Sequence, residues 1–378
     1  MTMSTRIYMD HNATSPLRPE ARAAILSAMD VTGNPSSVHF EGRKARHIVE
    51  DARAKVAALV GANAKNVVFT SGATEANNWF MQAGWEAVGI SRIEHDSVWA
   101  PSKTLCGNAM EMPVDANGVV IPDNAIVGRL FEKANHLRSS MVLQLANNET
   151  GVIQPVAEMA KLCREHGVVL HTDAVQAAGR MPLDIAQLGI ASLSLSSHKI
   201  GGPTGVGALI LGEGFELTPL ITGGGQELRR RSGTENVSGI AGFGAAAECA
   251  LKELADVEKY CAMRDYLERK IQDIAPDVVV FGQHVKRLPN TTCFSYPGLS
   301  AETLLIKLDL EGVAASSGAA CSSGKVGSSQ VLAAMGVSDG ISRGAIRVSL
   351  GWNSSESEIE TFVDVWRRVA MSTQRAVA

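Results

Sequence analysis

Ser192-Leu-Ser-Leu-Ser-Ser-His198-Lys199-Ile-Gly-Gly-Pro-Thr-Gly-Val-Gly207 is the stretch from which the rest of this chain can be read. Its first half alternates small and apolar residues, the pattern of a short buried strand. A histidine and a lysine end it, and the glycines and proline that follow force an irregular turn. A lysine at the end of a buried strand is costly to desolvate unless its charge is matched or removed. Burial lowers the pKa of such an amine, and the neutral form condenses with an aldehyde to a Schiff base. The plainer reading is a lysine whose stem lies along the strand end with its ammonium in water.

Working outward, Val206 to Leu211 is an apolar strand, and Val168 to Asp173 is another that ends on a carboxylate. Met141 to Ala146 reads as a strand running into Asn147-Asn148-Glu149-Thr150-Gly151, and Pro155 to His166 as a helix. Further upstream, Val67 to Asn77 runs strand, Ser-Gly turn, helix. That places the amides near Gly72, Ala73 and Thr74 at a helix start, where an anion binds readily. Capping of the helix by Ser71 or Thr74 is the simpler alternative. Near-continuous apolar strands separated by helices argue for an α/β fold with a mostly parallel sheet covered on both faces. Ligands in such sheets bind beyond the carboxyl ends of the strands, where Asn148, Asp173 and Lys199 all fall.

The flanks complete the outline. Residues 7–16 read as a short strand entering a polar turn, and Pro19 opens a helix through Met29. Gly33 to Ser37 is a loop. From Val38 to Val60, Ala45, Ile48, Val49, Ala52, Val56 and Leu59 recur at helical spacing, and Gly61 ends that helix. The loop from Gly223 to Asn236 carries Arg229, Arg230, Arg231 and Thr234; its chemistry suits an anion or a solvated basic surface equally. A long helical segment, Val237 to Ile274, links a large domain (15–253) to a smaller α+β unit (254–378), on which residues 1–14 pack. The small unit has strands near 278–281 and 291–296, a helix from Ala301 and a terminal helix opened by the Ser355-x-x-Glu358 capping box. It also holds Cys321 in a run of serines, glycines and alanines, an unusual setting for a structural cysteine. Arg347, inside the strand Ala345 to Gly351, suits bidentate carboxylate recognition or a structural ion pair.

Composition narrows the classes. The 378 residues allow a large domain plus a smaller one. A net charge of −4, from 35 basic and 39 acidic residues, gives no electrostatic footprint for nucleic acid or an anionic membrane. No apolar run is long enough to cross a bilayer, and Met-Thr-Met-Ser-Thr-Arg lacks the apolar core of a signal peptide. Six scattered cysteines form no CxxC pair and no zinc spacing, so the expectation is free thiols in a cytoplasmic protein without an intrinsic metal. No GxGxxG follows a strand with the helix and acidic residue that dinucleotide binding needs.

A lysine, an aspartate on the preceding strand and several anion-binding turns are what pyridoxal phosphate requires: an amine for its aldehyde, a carboxylate for its ring nitrogen and amides for its phosphate. Glu94-His95-Asp96-Ser97, Asn147-Asn148-Glu149-Thr150-Gly151, Asp173-Ala-Val-Gln176, Ser-Ser-His198-Lys199, Arg-Ser-Gly-Thr234-Glu-Asn, Ser-Gly-Ala-Ala-Cys321 and Ile-Arg347-Val-Ser-Leu-Gly together resemble the NifS/IscS-like cysteine desulfurases, in the family's order from residue 7 to about 365. These are fold-type I, class V aminotransferase-like enzymes. The resemblance implies a seven-stranded large-domain sheet and a homodimer. It implies that Lys199 holds the cofactor and shuttles the substrate's α proton, that Asp173 pairs with the ring nitrogen, and that Gln176 and Asn148 approach the ring hydroxyl. His95 would stack on the ring and transfer protons. Ala73, Thr74, Ser196 and His198 would bind the phosphate, joined by Thr234 from a second subunit. Arg347, with Asn148, would hold the carboxylate of L-cysteine. Cys321 would attack the substrate's sulfur, leaving alanine and a persulfide for a sulfur-acceptor or iron–sulfur scaffold protein, on which it would transiently ligate a cluster.

The run after Cys321, Ser-Ser-Gly-Lys-Val-Gly-Ser-Ser, departs from the acidic-proline stretch of close relatives, and His11 and Ser15 depart from the usual N-terminal pattern. A selenocysteine lyase or another class V pyridoxal phosphate enzyme is the nearest alternative. A sulfur-relay partner that merely binds the cofactor is another.

Overall fold

The computed structural model describes residues 6–105, 109–134, 138–318 and 329–377. Thirteen strands are named here in chain order: β1 (Ile7–Tyr8), β2 (Val67–Thr70), β3 (Ala87–Ser91), β4 (Ala109–Met112), β5 (Ser139–Val142), β6 (Val169–Asp173), β7 (Ser192–Ser196), β8 (Gly207–Leu211), β9 (Val279–Val280), β10 (Thr291–Ser295), β11 (Val313–Ala314), β12 (Ser316–Ser317) and β13 (Ala345–Ser349). Three helices also need names: α1 (Pro19–Met29), α2 (Phe40–Leu59) and α3 (Ala73–Met81).

Seven strands form one sheet in the order β2-β8-β7-β6-β5-β3-β4. The pairs from β7 through β4 are parallel, while β8 runs antiparallel to both β7 and β2. Strands β2, β5, β7 and β8 are buried along their whole length, so both faces of the sheet are covered, as the apolar runs predict. Because β8 is reversed, its first residue meets the last residues of its neighbours: Gly207 pairs with Thr70 on one side and Ser196 on the other. A Cβ on Gly207 would lie 2.6 Å from the Gly72 backbone and 2.6 Å from the Leu195 carbonyl oxygen, so glycine is required for this approach.

The helices follow their apolar stripes. Helix α2 buries Ala45, Val49, Ala52 and Val56 and starts at His39, whose ring accepts from the Gly42 amide. It packs with α1 against the helix Val237–Glu253. The long helical segment is broken by a 3₁₀ turn at Leu254–Asp256 before Val257–Ile274. The expected strand Met141 to Ala146 is shorter as a ladder, Ser139–Val142. Leu143 and Leu145 still donate backbone bonds to His171 and Asp173, but Ala146 turns back to bridge Ile153.

A second core joins Ile7 and Met9 to residues between Met263 and Ala370, around Phe294, Phe362 and Trp366. It lies against a four-stranded sheet, β12-β13-β10-β9, and β1 pairs in parallel with β11. The capping box forms as expected: Ser355 N donates to Glu358 Oε2 at 2.8 Å and Glu358 N to Ser355 Oγ at 3.3 Å. No described helix is long and apolar enough to cross a membrane.

Candidate active site

The C-terminal ends of β2, β6 and β7 border a cavity of about 480 Å³. Ten residues singled out from the sequence line it: Ala73, Thr74, His95, Asn148, Asp173, Gln176, Ser196, His198, Lys199 and Arg347. Two do not. Thr234 lines an adjoining pocket of about 210 Å³, which shares Ser71 and Gly205 with the first. Cys321 lies outside the described residues.

Lys199 is half-buried and sits on a 3₁₀ turn, Ser197–Ile200, three residues beyond Ser196, where the strand ends. Gly201 closes that turn at φ 81°, a left-handed conformation that glycine adopts without strain. The Lys199 ammonium donates to the carbonyls of Asn12 at 2.6 Å and Ala13 at 2.8 Å. It is therefore aimed into the cavity and not into bulk water.

Helix α3 begins at Gly72, which has no side chain, and no side chain caps it. The simpler alternative of a capped helix is not realised, and the first amides of α3 face the cavity together with Thr74, Ser196 and His198. His198 Nδ1 lies 3.1 Å from Thr14 Oγ1. Burial, with Lys199 and Arg180 nearby, pushes its pKa down to about 4, so it stays neutral at physiological pH.

Asp173 ends β6 almost wholly buried; its Oδ1 accepts from Val175 N at 3.0 Å and its Oδ2 from Asn77 Nδ2 at 2.8 Å. Gln176 donates through Nε2 to the Asn12 carbonyl at 3.1 Å, and its Oε1 accepts from Arg180. Arg180 is buried and also donates to the carbonyls of His11 and Lys199.

Arg347 forms the structural ion pair that was one of its two sequence readings. Its Nη2 pairs with Asp10 at 2.7 Å and its Nη1 donates to the Asn148 carbonyl at 2.9 Å. Its Nε is buried without an acceptor among the described residues, beside the cavity. A buried guanidinium with a spare donor is a natural seat for a carboxylate.

Some functional neighbours were not apparent from the sequence. Asn12 and Ala13 hold the lysine, and Gln144, Thr204 and Gly205 line the cavity. The polar run Asp10-His11-Asn12-Ala13-Thr14 after an apolar strand was the available signal for the first two. Among the described residues, no group of three or more His, Cys, Asp or Glu side chains is placed to hold a metal ion.

This fold and this cavity define the class. The chain belongs to the aminotransferase class-V family, which it matches over residues 7–362. Within that class it is 39% identical over 379 residues to the cysteine desulfurase IscS of Dictyoglomus turgidum, covering 97% of this chain and 95% of that protein. A NifS-like protein from Rickettsia africae superposes with a TM-score of 0.89 at 36% identity, covering 96% of this chain and 99% of that one. The structure of SspA in complex with cysteine gives a TM-score of 0.76 at 28% identity, covering 92% and 99%.

Proposed function

We infer that the protein is a cysteine desulfurase, converting L-cysteine to L-alanine and carrying the removed sulfur as a persulfide on Cys321. The observation that carries this reading is the convergence of Lys199, Asp173, His95 and Arg347 on one cavity, opposite an uncapped helix start. The donor set fits pyridoxal phosphate. The α3 amides, Thr74, Ser196 and His198 would hold its phosphate, Asp173 its ring nitrogen, Gln176 and Asn148 its ring hydroxyl, and Lys199 its aldehyde carbon. Bound there, the cofactor supplies an electron sink for the electrons released at the substrate's α carbon.

The chain's own residues do the rest. Arg347, whose buried guanidinium borders the cavity, binds and orients the substrate carboxylate, with Asn148 beside it. Lys199 Nζ moves the substrate's α proton, and His95 faces the same space from the loop after β3. Cys321, as thiolate, takes the sulfur: the substrate's carbon–sulfur bond breaks, an S–S bond forms, and the former thiol carbon becomes the methyl group of alanine. Thr234, outside its own subunit's cavity, would reach the phosphate site of a second copy in a homodimer. A sulfur-acceptor or iron–sulfur scaffold protein would then receive the persulfide. The second core around Phe294, Phe362 and Trp366 supports a division into units 15–253 and 254–378.

The test is the visible spectrum of the purified protein before and after L-cysteine, with alanine measured in parallel. A cofactor band that L-cysteine perturbs, with alanine released, is the expected result. Alanine formed only from selenocysteine would identify a selenocysteine lyase, and a band without turnover would identify a relay protein.

A further inference from the structure

Beneath the cavity floor lies a set of hydrogen bonds whose directions follow from donor and acceptor chemistry. Asn77, within α3, is completely buried. Its Nδ2 donates to Asp173 Oδ2 at 2.8 Å and to Ser97 Oγ at 2.8 Å. An ionised carboxylate only accepts, so the amide cannot be turned the other way. Asn77 Oδ1 must then accept, and its partner is His171 Nε2 at 3.1 Å, so that nitrogen carries the proton. His171 Nδ1 in turn accepts from Ser192 Oγ at 2.8 Å.

The other arm reaches His95. The backbone amide of Ser97 donates to His95 Nδ1 at 3.1 Å, and an amide N–H cannot accept, so Nδ1 bears no proton. Ser97 Oγ already accepts from Asn77 and lies 2.8 Å from the same nitrogen, where it supplies a second donor. Neutral His95 therefore carries its proton on Nε2.

The base of this arrangement is rigid. His171 is fully buried and stacks on Phe80, with ring centroids 4.5 Å apart and planes at 19°. Burial pushes its pKa down to about 3, so it remains a neutral donor. Burial, with Asp173 nearby, holds the pKa of the neighbouring Glu94 carboxyl well above the usual range.

We propose that Asn77 is a positioning residue of this active site: it fixes the Asp173 carboxylate and, by donating to Ser97 Oγ, turns that hydroxyl's proton toward His95 Nδ1, reinforcing the Nε2–H form set by the Ser97 amide, while taking its own orientation from His171. Asp173 spends one lone pair on each oxygen within the protein and keeps the rest for the cavity. The value of that placement rests on the pyridoxal phosphate reading, whereas the tautomers belong to the protein alone.

Nitrogen NMR of ¹⁵N-histidine-labelled protein near neutral pH tests this, with His95→Gln and His171→Gln assigning the signals. His95 and His171 are both expected as neutral Nε2–H tautomers. Asn77→Asp removes the donor shared by Asp173 and Ser97 and puts a carboxylate on His171. It should raise the His171 titration by at least about one pH unit and weaken pyridoxal phosphate binding about tenfold, as for one lost charged hydrogen bond. Ser97→Ala, the milder change, removes the hydroxyl but keeps the backbone donor to Nδ1, so His95 should stay Nε2–H with its Nδ1 signal shifted by the lost hydrogen bond, and cofactor affinity should stay within about twofold. Wild-type His95 protonated on Nδ1 would overturn the proposal, as would an unchanged His171 titration and cofactor affinity in Asn77→Asp. Should Asn77→Asp not fold, the wild-type and Ser97→Ala spectra decide. Wild-type protein that binds no pyridoxal phosphate yet shows both expected tautomers would defeat the cofactor reading and leave the tautomer assignment standing.

Discussion

Lys199 Nζ donates to the carbonyl oxygen of Asn12 at 2.6 Å, across 187 positions of sequence. The N-terminal turn thus holds the amine against the cavity, with the Ala13 carbonyl as its second anchor. Lys199→Ala removes the amine and leaves the cavity walls in place. The variant should keep its far-ultraviolet circular dichroism and lose alanine formation by about a hundredfold or more. Dialysis should strip its visible absorbance, whereas wild-type protein retains it.

Cys321→Ala should separate cofactor binding from sulfur transfer. Its visible absorbance and the perturbation by L-cysteine are expected to persist, because none of the described residues lining the cavity is altered. Alanine and persulfide formation should cease, as read by alanine assay and by mass spectrometry of the protein. Normal turnover would show that the sulfur acceptor is another group.

Arg347→Lys keeps a positive charge beside Asp10 but loses the planar fork. If the guanidinium holds the substrate carboxylate, KM for L-cysteine should rise about ten- to a hundredfold, the worth of one hydrogen bond to a charged group. Steady-state kinetics check this, and cofactor affinity measured by fluorescence should change little.

Glu149 gives a pH signature. Burial pushes its pKa from 4.5 up to about 7, against the opposing effects of the Ser329 hydroxyl, 2.5 Å from its Oε2, and of Arg347. Between pH 4.5 and 7 the folded protein retains a proton that the unfolded chain has lost. Stability from this group therefore falls as pH rises through that window and stays low above it. Glu149→Gln removes the titration, and its Tm relative to wild type should climb from pH 5 to pH 8, by up to about 3 kcal/mol of stability. Thermal melts at the two pH values measure it; a constant difference would contradict the buried carboxyl.

Gly207→Ala tests the seam between β8 and the α3 turn. The added methyl meets backbone on both sides, so the strand or the turn must shift, at a cost of about 1–3 kcal/mol. Both Tm and pyridoxal phosphate affinity should fall, since the displaced turn carries Ala73 and Thr74. Loss of stability alone would mean that the strand moves and the turn does not.

Much of this could be read from short segments. The Ser-Ser-His198-Lys199 run, the Ser71-Gly72 turn and the strand ending on Asp173 each lie within ten residues, where periodicity and turn chemistry act. Strand ends were less secure: at Met141 to Ala146 the apolar pattern continues after the ladder has stopped, because Ala146 is drawn back to Ile153. The split of the long helical segment at Leu254–Asp256 was likewise not expected.

From residue order alone came the layered α/β architecture, the chemical identity of most cavity residues and the resemblance that named their roles. Those follow from local backbone preferences and from side-chain types at fixed spacing. Folding added the meeting of Asn12 with Lys199, of Asp10 with Arg347 and of Asn77 with Asp173, His171 and Ser97. It also supplied the shifted pKa values of Glu149 and His171. These depend on strand register and on desolvation by neighbours distant along the chain, quantities that no local pattern of residues contains.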